Sequence, residues 1–266
     1  MDLGITGRAA IVTGGSKGRC VGPCCPVSVS APGSVLLLAE GANVCAVSRD
    51  ITLLDELVAS SAGHLVTASC DLTTVEGCDL AAKACLDAFD RIDILVNCAG
   101  SAGMGNILEI SADDVDDALL LKFHGYLRMA QRVIPSMTVR RWGRIVNIAG
   151  TSATADNLPT SLANIAVHNL TRALSDELTS SGIQVNLVAP GMTLTDRAVT
   201  LVARAAEQQD RSPQELIAEV GSGLPAGRAA DPAEVARVVC FLAPDACSYV
   251  QASVLYMDGG ARRATP

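Results

Sequence analysis

The 266 residues suffice for one large α/β domain, and with 49% hydrophobic but only 3% aromatic residues the core has to be built from Ala, Val, Leu and Ile. A net charge of −8 argues against a nucleic-acid or anionic-membrane surface. No apolar run approaches a membrane span, the N-terminus lacks the layout of a signal peptide, and ten scattered cysteines, away from His64, His124 and His168, point to reduced thiols in a cytoplasmic protein with no metal site.

The first apolar run, Ala9–Val12, reads as a buried strand that ends in the glycine-rich turn Thr13-Gly14-Gly15-Ser16-Lys17-Gly18. Glycines there let backbone N–H groups approach a pyrophosphate, and the following helix N-terminus adds partial positive charge. The next segment, Arg19–Ser34, holds Cys20, Cys24 and Cys25 together with Pro23, Pro26, Pro32 and Gly33, so one continuous helix is excluded. Helical character resumes at Val35–Glu40 and stops at Gly41. The distance from Gly18 to the end of the next strand, Val44–Ser48, is about 30 residues where a dinucleotide fingerprint expects about 20. The excess within 19–34 reads as a surface loop before a shortened helix or as a shifted reading frame, and both remain open.

Further strands are expected at Leu65–Ser69 and Ile92–Val96, separated by the amphipathic stretches Ile51–Ser61 and Thr73–Phe89. Alternation of strands and helices implies right-handed crossovers and a parallel sheet. Ser111–Asp114 is a capping-box-like start to one long helix reaching about Ile134, with Val115, Ala118, Leu119, Lys122 and Tyr126 on one face. A lysine on that apolar stripe is unusual. Strand five is Trp142–Ile148, a helix follows over about Leu158–Leu178, and strand six is Gln184–Ala189, leading into Pro190-Gly191. Asp196–Val220 reads as one or two helices of a substrate lid spanning 196–225; Asp231 caps a last helix, and strand seven, Ser253–Met257, closes on Asp258-Gly259-Gly260. No repeat, linker or second domain is visible.

Thr13–Gly18, Asp71-Leu72, Asn97-Cys98-Ala99-Gly100, Gly143–Ile148, Pro190-Gly191 and Asp258–Gly260 occur in an order that resembles the short-chain dehydrogenase/reductase family over nearly the whole chain. The resemblance implies a doubly wound, seven-stranded parallel Rossmann sheet in the order 3-2-1-4-5-6-7 and a homo-oligomer, dimer or tetramer, that works on a small molecule. It also implies cofactor contacts from Thr13, Gly14, Ser16, Lys17, Gly18, Ser48, Arg49, Asp71, Leu72, Asn97, Ala99, Gly100, Pro190, Gly191, Thr193 and Thr195. One glycine of the turn motif is missing, because Cys20 stands there. At the end of strand two an NAD site places an acid for the ribose hydroxyls. Here Ser48-Arg49 stands instead, and Arg49 with Lys17 favours the 2′-phosphate of NADP(H).

The catalytic pattern of the family is a serine, a Tyr-x-x-x-Lys pair and an asparagine from the preceding long helix. Aligned through Leu170–Leu174, this chain has Thr160 for the tyrosine, Asn164 for the lysine and Lys122 for the asparagine, with Gly150 at the serine position and Thr151 and Ser152 beside it. The chain's only tyrosines are Tyr126, Tyr249 and Tyr256, and its only lysines Lys17, Lys83 and Lys122. A threonine hydroxyl is a far weaker acid than a phenol, and Asn164 carries no charge. Candidate catalytic residues are therefore Lys122, Ser152, Thr160 and Asn164, with Lys122-x-x-x-Tyr126 as a displaced version of the missing pair and His124 as a structural residue. Three functions fit: NADP(H)-dependent carbonyl/alcohol interconversion through an atypical site, a non-redox isomerase, cyclase or lyase using Lys122 as base or nucleophile, and a nucleotide-binding pseudoenzyme.

Overall fold

The structure, a computed structural model, describes residues 4–14, 30–100, 105–150 and 157–263. The apolar runs become β1 (Ala9–Thr13), β2 (Asn43–Ser48), β3 (Leu65–Ser69), β4 (Ile94–Asn97), β5 (Gly143–Ile148), β6 (Ile183–Pro190) and β7 (Val254–Met257). They form one seven-stranded sheet in the order β3-β2-β1-β4-β5-β6-β7, parallel at every pairing, as the sequence predicts. Both faces are covered. Ile11, Leu95, Ile145 and Val185 point into one apolar layer, while their neighbours Val12, Ile94, Val146 and Val188 point into the other. Each fully buried Val, Leu or Ile stabilises the fold by about 1.5–3 kcal/mol, and burial on both faces explains why these strands are continuous apolar runs.

The helices are α1 (Ser30–Ala39), α2 (Asp55–Ser60), α3 (Val75–Phe89), α4 (Ala112–Leu119), α5 (Gly125–Arg140), α6 (Leu158–Leu178), α7 (Asp196–Gln208), α8 (Pro213–Ser222) and α9 (Pro232–Phe241). Two departures from expectation matter. Helix α1 begins at Ser30, not Val35, because Pro32 falls in its first turn, where a missing N–H breaks no helical bond. It ends at Gly41 (φ +84°), with Ala42 N donating to Leu37 O (3.0 Å) and Gly41 N to Leu38 O (2.9 Å). The expected insertion at 19–34 thus overlaps α1 at 30–34, and its remainder lies outside the described residues.

The second departure is the long helix predicted to end at Ile134. It is α4, then a π turn over Leu120–His124, then α5, which continues through Pro135 to Arg140. Met129, Ala130, Val133 and Met137 of α5 are buried in one core layer on both sides of Pro135, and that packing outweighs the lost helical bond. The 196–220 region resolves into two helices, capped by Thr195 and Ser212.

At the amino ends of the strands lies a charged cluster. Asp93 is fully buried and accepts from Ala9 N (2.8 Å) and from Arg91 Nε (2.6 Å) and Nη2 (2.8 Å), with Arg8 at 3.7 Å. Buried Arg144 pairs with Asp245 (2.7 Å), which also accepts from Trp142 Nε1 (2.7 Å). The guanidinium groups of Arg8 and Arg144 stack on the Trp142 ring at 3.9 and 4.2 Å.

Candidate cofactor crevice and active site

Strand β1 lies between β2 and β4, so the chain winds outward in opposite directions from it. A crevice opens at such a switch point, beyond the carboxyl ends of β1 and β4. Thr13, at the end of β1, ties the two edges together. Its Oγ1 accepts from Cys98 N (2.9 Å) and Ala99 N (3.1 Å) and donates to Val96 O (3.3 Å). Its hydroxyl shapes the crevice floor through these bonds. Gly14 follows at φ +80°, and a Cβ there would stand 3.0 Å from Ala99 Cα, so the close approach of the two turns requires glycine. Ser16, Lys17 and Gly18 lie outside the described residues.

On the β2 side of the crevice no carboxylate occupies the strand end. Ser48 ends β2, and exposed Arg49 is anchored through its carbonyl, which accepts from Ser69 Oγ (2.9 Å). Asp50 is committed to the turn that follows: Thr52 donates from Oγ1 (2.7 Å) and N (3.1 Å), bonds that hold the carboxyl below its usual pKa. Asp71 is held low in the same way by Thr73 N (3.0 Å) and Oγ1 (2.8 Å), with a smaller pull from Arg49. Leu72 is buried, and its carbonyl faces α3 and α5.

On the β4–β5 side a ladder of amides crosses the sheet. Asn97 Nδ2 donates to Asn147 Oδ1 (2.9 Å), Asn147 Nδ2 to Thr171 Oγ1 (2.9 Å), and Thr171 Oγ1 to Val167 O (2.8 Å). Asn97 Oδ1 is buried without a partner among the described residues. Beyond this ladder the strands run out into Gly100 and Gly150. Lys122, on the π turn, stands over the first: its Nζ is 3.9 Å from where a Cβ on Gly100 would be. Asn164 of α6 stands over the second, its Nδ2 2.9 Å from a Cβ on Gly150, and the buried Asn164 Oδ1 has no partner among the described residues.

Lys122 is half-buried, and among the described residues no carboxylate lies within ion-pair reach of it. Burial lowers its pKa to about 8, opposed by a weaker interaction with Cys98. The expected partner Tyr126 is not available. Its ring is buried and its hydroxyl donates to Ile148 O (3.1 Å), while burial raises its pKa well above the usual value. The displaced Lys-x-x-x-Tyr pair is thereby corrected: the two residues share a helix face, but the phenol is spent on the backbone of β5. His124 is exposed, edge-on to Phe123 at 5.2 Å. Thr160 sits half-buried one turn before Asn164, and Thr151 and Ser152 lie outside the described residues.

The loop after β6 braces itself. Gly191 N donates to Met257 O (3.0 Å), and a Cβ on Gly191 would come within 2.8 Å of Asp258 Cα. Thr193 Oγ1 donates to Gly191 O (3.2 Å) and Thr195 Oγ1 caps α7 by accepting from Ala198 N (3.3 Å). Both hydroxyls are bound to the backbone and set the path of the loop from Pro190. Among the described residues no group of three or more His, Cys, Asp or Glu is placed to hold a metal ion.

The crevice fits a dinucleotide at the positions described: a glycine cradle against Ala99, a cation at the end of β2, and polar heads over Gly100 and Gly150 that lack an ion-pair or hydrogen-bond partner among the described residues. The amide ladder and the Thr13 clamp have only a faint sequence signal, an asparagine three residues ahead of a glycine on each of two neighbouring strands.

A family profile described as Enoyl-(Acyl carrier protein) reductase matches residues 33–262. Oxidoreductase UcpA of Salmonella typhi is 33% identical over 96% of this chain and 95% of its own. The 3-oxoacyl-(acyl-carrier-protein) reductase FabG of Vibrio harveyi is 28% identical over 97% of this chain and 98% of its own. Among solved structures, a variant of actinorhodin polyketide ketoreductase with NADPH superposes with a TM-score of 0.86 at 27% identity, over 97% of this chain and 98% of that one. The L-sorbose reductase of Gluconobacter frateurii, complexed with NADPH and L-sorbose, superposes with a TM-score of 0.91 over the whole of both chains at 24% identity, a likeness of fold.

Proposed function

The chain belongs to the short-chain dehydrogenase/reductase family, and on that premise we propose that it is an NADP(H)-dependent oxidoreductase that interconverts a carbonyl and an alcohol on a small molecule, with Lys122 as proton donor. One observation carries this reading: a half-buried ammonium with no carboxylate partner among the described residues stands over the end of β4. NADP(H) is supported by Arg49 at the end of β2 and by the NADPH bound to the actinorhodin ketoreductase variant.

When bound, the reduced nicotinamide supplies a hydride. Lys122 then does the work of the absent tyrosine. Its ammonium donates a hydrogen bond to the carbonyl oxygen, passes its proton there as charge builds, and is reprotonated from water. Asn164, Thr160 and Ser152 orient the carbonyl, Thr13 and Gly14 hold the two turns together, and α7–α8 within 196–225 form the lid. We expect the protein to work in the cytoplasm as a homo-oligomer, since the exposed Leu162 and Ile165 of α6 offer an apolar surface for burial against a second copy. No described helix is long and apolar enough to cross a membrane.

With a pKa of about 8, Lys122 is protonated at neutral pH, so reduction is fastest below pH 8 and falls about tenfold per unit above it. Alcohol oxidation rises over the same range. Calorimetry with NADPH, then a pH series of NADPH consumption over a panel of small ketones and aldehydes, tests the reading; absence of NADPH binding ends it. A second reading is favoured by the same lowered pKa, because the neutral amine fraction is nucleophilic near pH 8. Product formed without NADPH consumption selects the non-redox enzyme.

A further inference from the structure

Two polar heads at the carboxyl edge of the sheet lack partners among the described residues, and their hydrogen-bonding characters are opposite. The Lys122 ammonium only donates, and Asn164 Oδ1 only accepts. Asn164 is 5% exposed, so bulk water does not satisfy that oxygen, and an unpaired buried acceptor calls for an explanation.

Their positions are linked by strand register. Asn97 and Asn147 are paired across β4 and β5. Gly100 and Gly150, each three residues further on, therefore leave neighbouring strands, which run about 5 Å apart. Lys122 stands over one exit, its Nζ 3.9 Å from a Cβ on Gly100, and Asn164 over the other, its Nδ2 at 2.9 Å and its Oδ1 at 3.9 Å from a Cβ on Gly150. Thr160, one turn earlier on α6, already has an interaction of its own. A donor beside an acceptor matches two adjacent oxygens, of which one only accepts and the other has a proton to give.

Building on the reductase reading above, we propose that Lys122 and Asn164 select carbonyl substrates carrying a hydroxyl on the neighbouring carbon, Lys122 donating to the carbonyl oxygen and Asn164 Oδ1 accepting from the hydroxyl. In the reduction the carbonyl π bond breaks, and its carbon gains the hydride that NADPH supplies. Its oxygen takes the proton from Lys122, and the product is a vicinal diol. A ketone without the hydroxyl leaves Asn164 Oδ1 buried and unpaired, so it is disfavoured as a substrate.

The test compares hydroxyacetone with acetone, and 1-hydroxy-2-butanone with 2-butanone, on the full-length protein. Wild type is expected to favour the hydroxyketone in kcat/KM by about ten- to a hundredfold. Asn164→Leu is expected to erase that preference while leaving NADPH affinity by calorimetry unchanged, and Asn164→Ala serves if the leucine variant does not fold. Saturation-transfer NMR on wild type with bound NADP(H) reads the same preference in binding, without turnover. Equal kcat/KM for the paired substrates overturns the proposal. So does a preference that survives in both Asn164 variants, or a variant that loses NADPH affinity with the preference intact, which would give Asn164 to the cofactor. If no carbonyl is turned over, the reductase reading falls by itself, and the NMR preference then decides the donor–acceptor pair alone: its presence supports the pair and its absence overturns it.

Discussion

The two ends of the sheet bury charge in opposite ways. At the amino ends, Asp93 is enclosed by Arg91, Arg8 and the N–H of Ala9, and Arg144 is paired with Asp245 and stacked on Trp142. At the carboxyl ends, the ammonium of Lys122 has no carboxylate partner among the described residues. Pairing at the first end offsets the cost of desolvation, and removing one partner there exposes that cost. Lack of pairing at the second end leaves the cost standing in the native state, as expected of a group kept for a ligand. The first end holds strands together, and in the proposed function the second binds and reacts.

Exchanging the character of the residues separates the two roles. The largest effect is expected from Lys122→Met, which removes the proposed proton donor and keeps the apolar stem. In the pH series, kcat/KM for reduction should fall about 10²–10⁴-fold, with NADPH affinity nearly unchanged. A variant that retains near-normal turnover would make Lys122 a bystander.

At the opposite end, Asp93→Ala leaves two arginines and a strand N–H without their acceptor. Stability in urea should fall by about 3–5 kcal/mol, while the folded fraction keeps its kcat/KM. The contrast between the ends fails if this variant loses activity like Lys122→Met, or if its midpoint hardly moves.

Much of this architecture was legible in the primary structure, for a physical reason. Strands buried on both faces are continuous apolar runs bounded by Gly, Pro or Asn, so β3 and α6 fall on their expected residues. The spacing of Val115, Ala118, Leu119, Lys122 and Tyr126 fits an unbroken α-helix equally well, so the π turn left no trace in it. The same spacing placed Tyr126 beside Lys122 but carries no information about a hydroxyl that reaches Ile148 O. Thr13 sits in a turn motif, yet its partners Cys98 and Ala99 are 85 and 86 residues away, and Asp93 meets the N–H of Ala9 across 84. Local pattern finds elements; it does not find contacts made across the sheet.

A third substitution probes the far side of the carboxyl end. Arg49 is exposed at the end of β2, and its charge is shared with Asp71. Arg49→Asp should weaken NADPH binding by about 1–3 kcal/mol, near the lower figure because Asp71 already neutralises part of the charge, and should leave NADH nearly unaffected. Equal affinity of wild type for the two cofactors by calorimetry would remove Arg49 from the 2′-phosphate site.

The smallest effect sharpens the contrast most directly, because it measures the cost of the unpaired ammonium without any substrate. Lys122 has an ordinary pKa of 10.5 when unfolded and about 8 when folded, lowered by burial. Below pH 8 it is protonated in both states, and the native state carries the desolvation penalty in full. Between pH 8 and 10.5 the unfolded chain still binds the proton that the folded chain has released, so stability attributable to this residue rises with pH. Buried thiols such as Cys240, whose pKa burial raises to about 12, act in the opposite direction, but they are present in wild type and variant alike. The difference between wild type and Lys122→Met therefore isolates the lysine. At pH 7 the methionine variant should be more stable by about 1 kcal/mol, a figure reduced because the side chain is only half-buried and water screens part of the cost. Above pH 8 that advantage should shrink and be lost by about pH 10.5. Urea titrations at matched pH measure it, and a difference that stays flat across this range would mean that the ammonium is already paired, erasing the asymmetry between the two ends of the sheet.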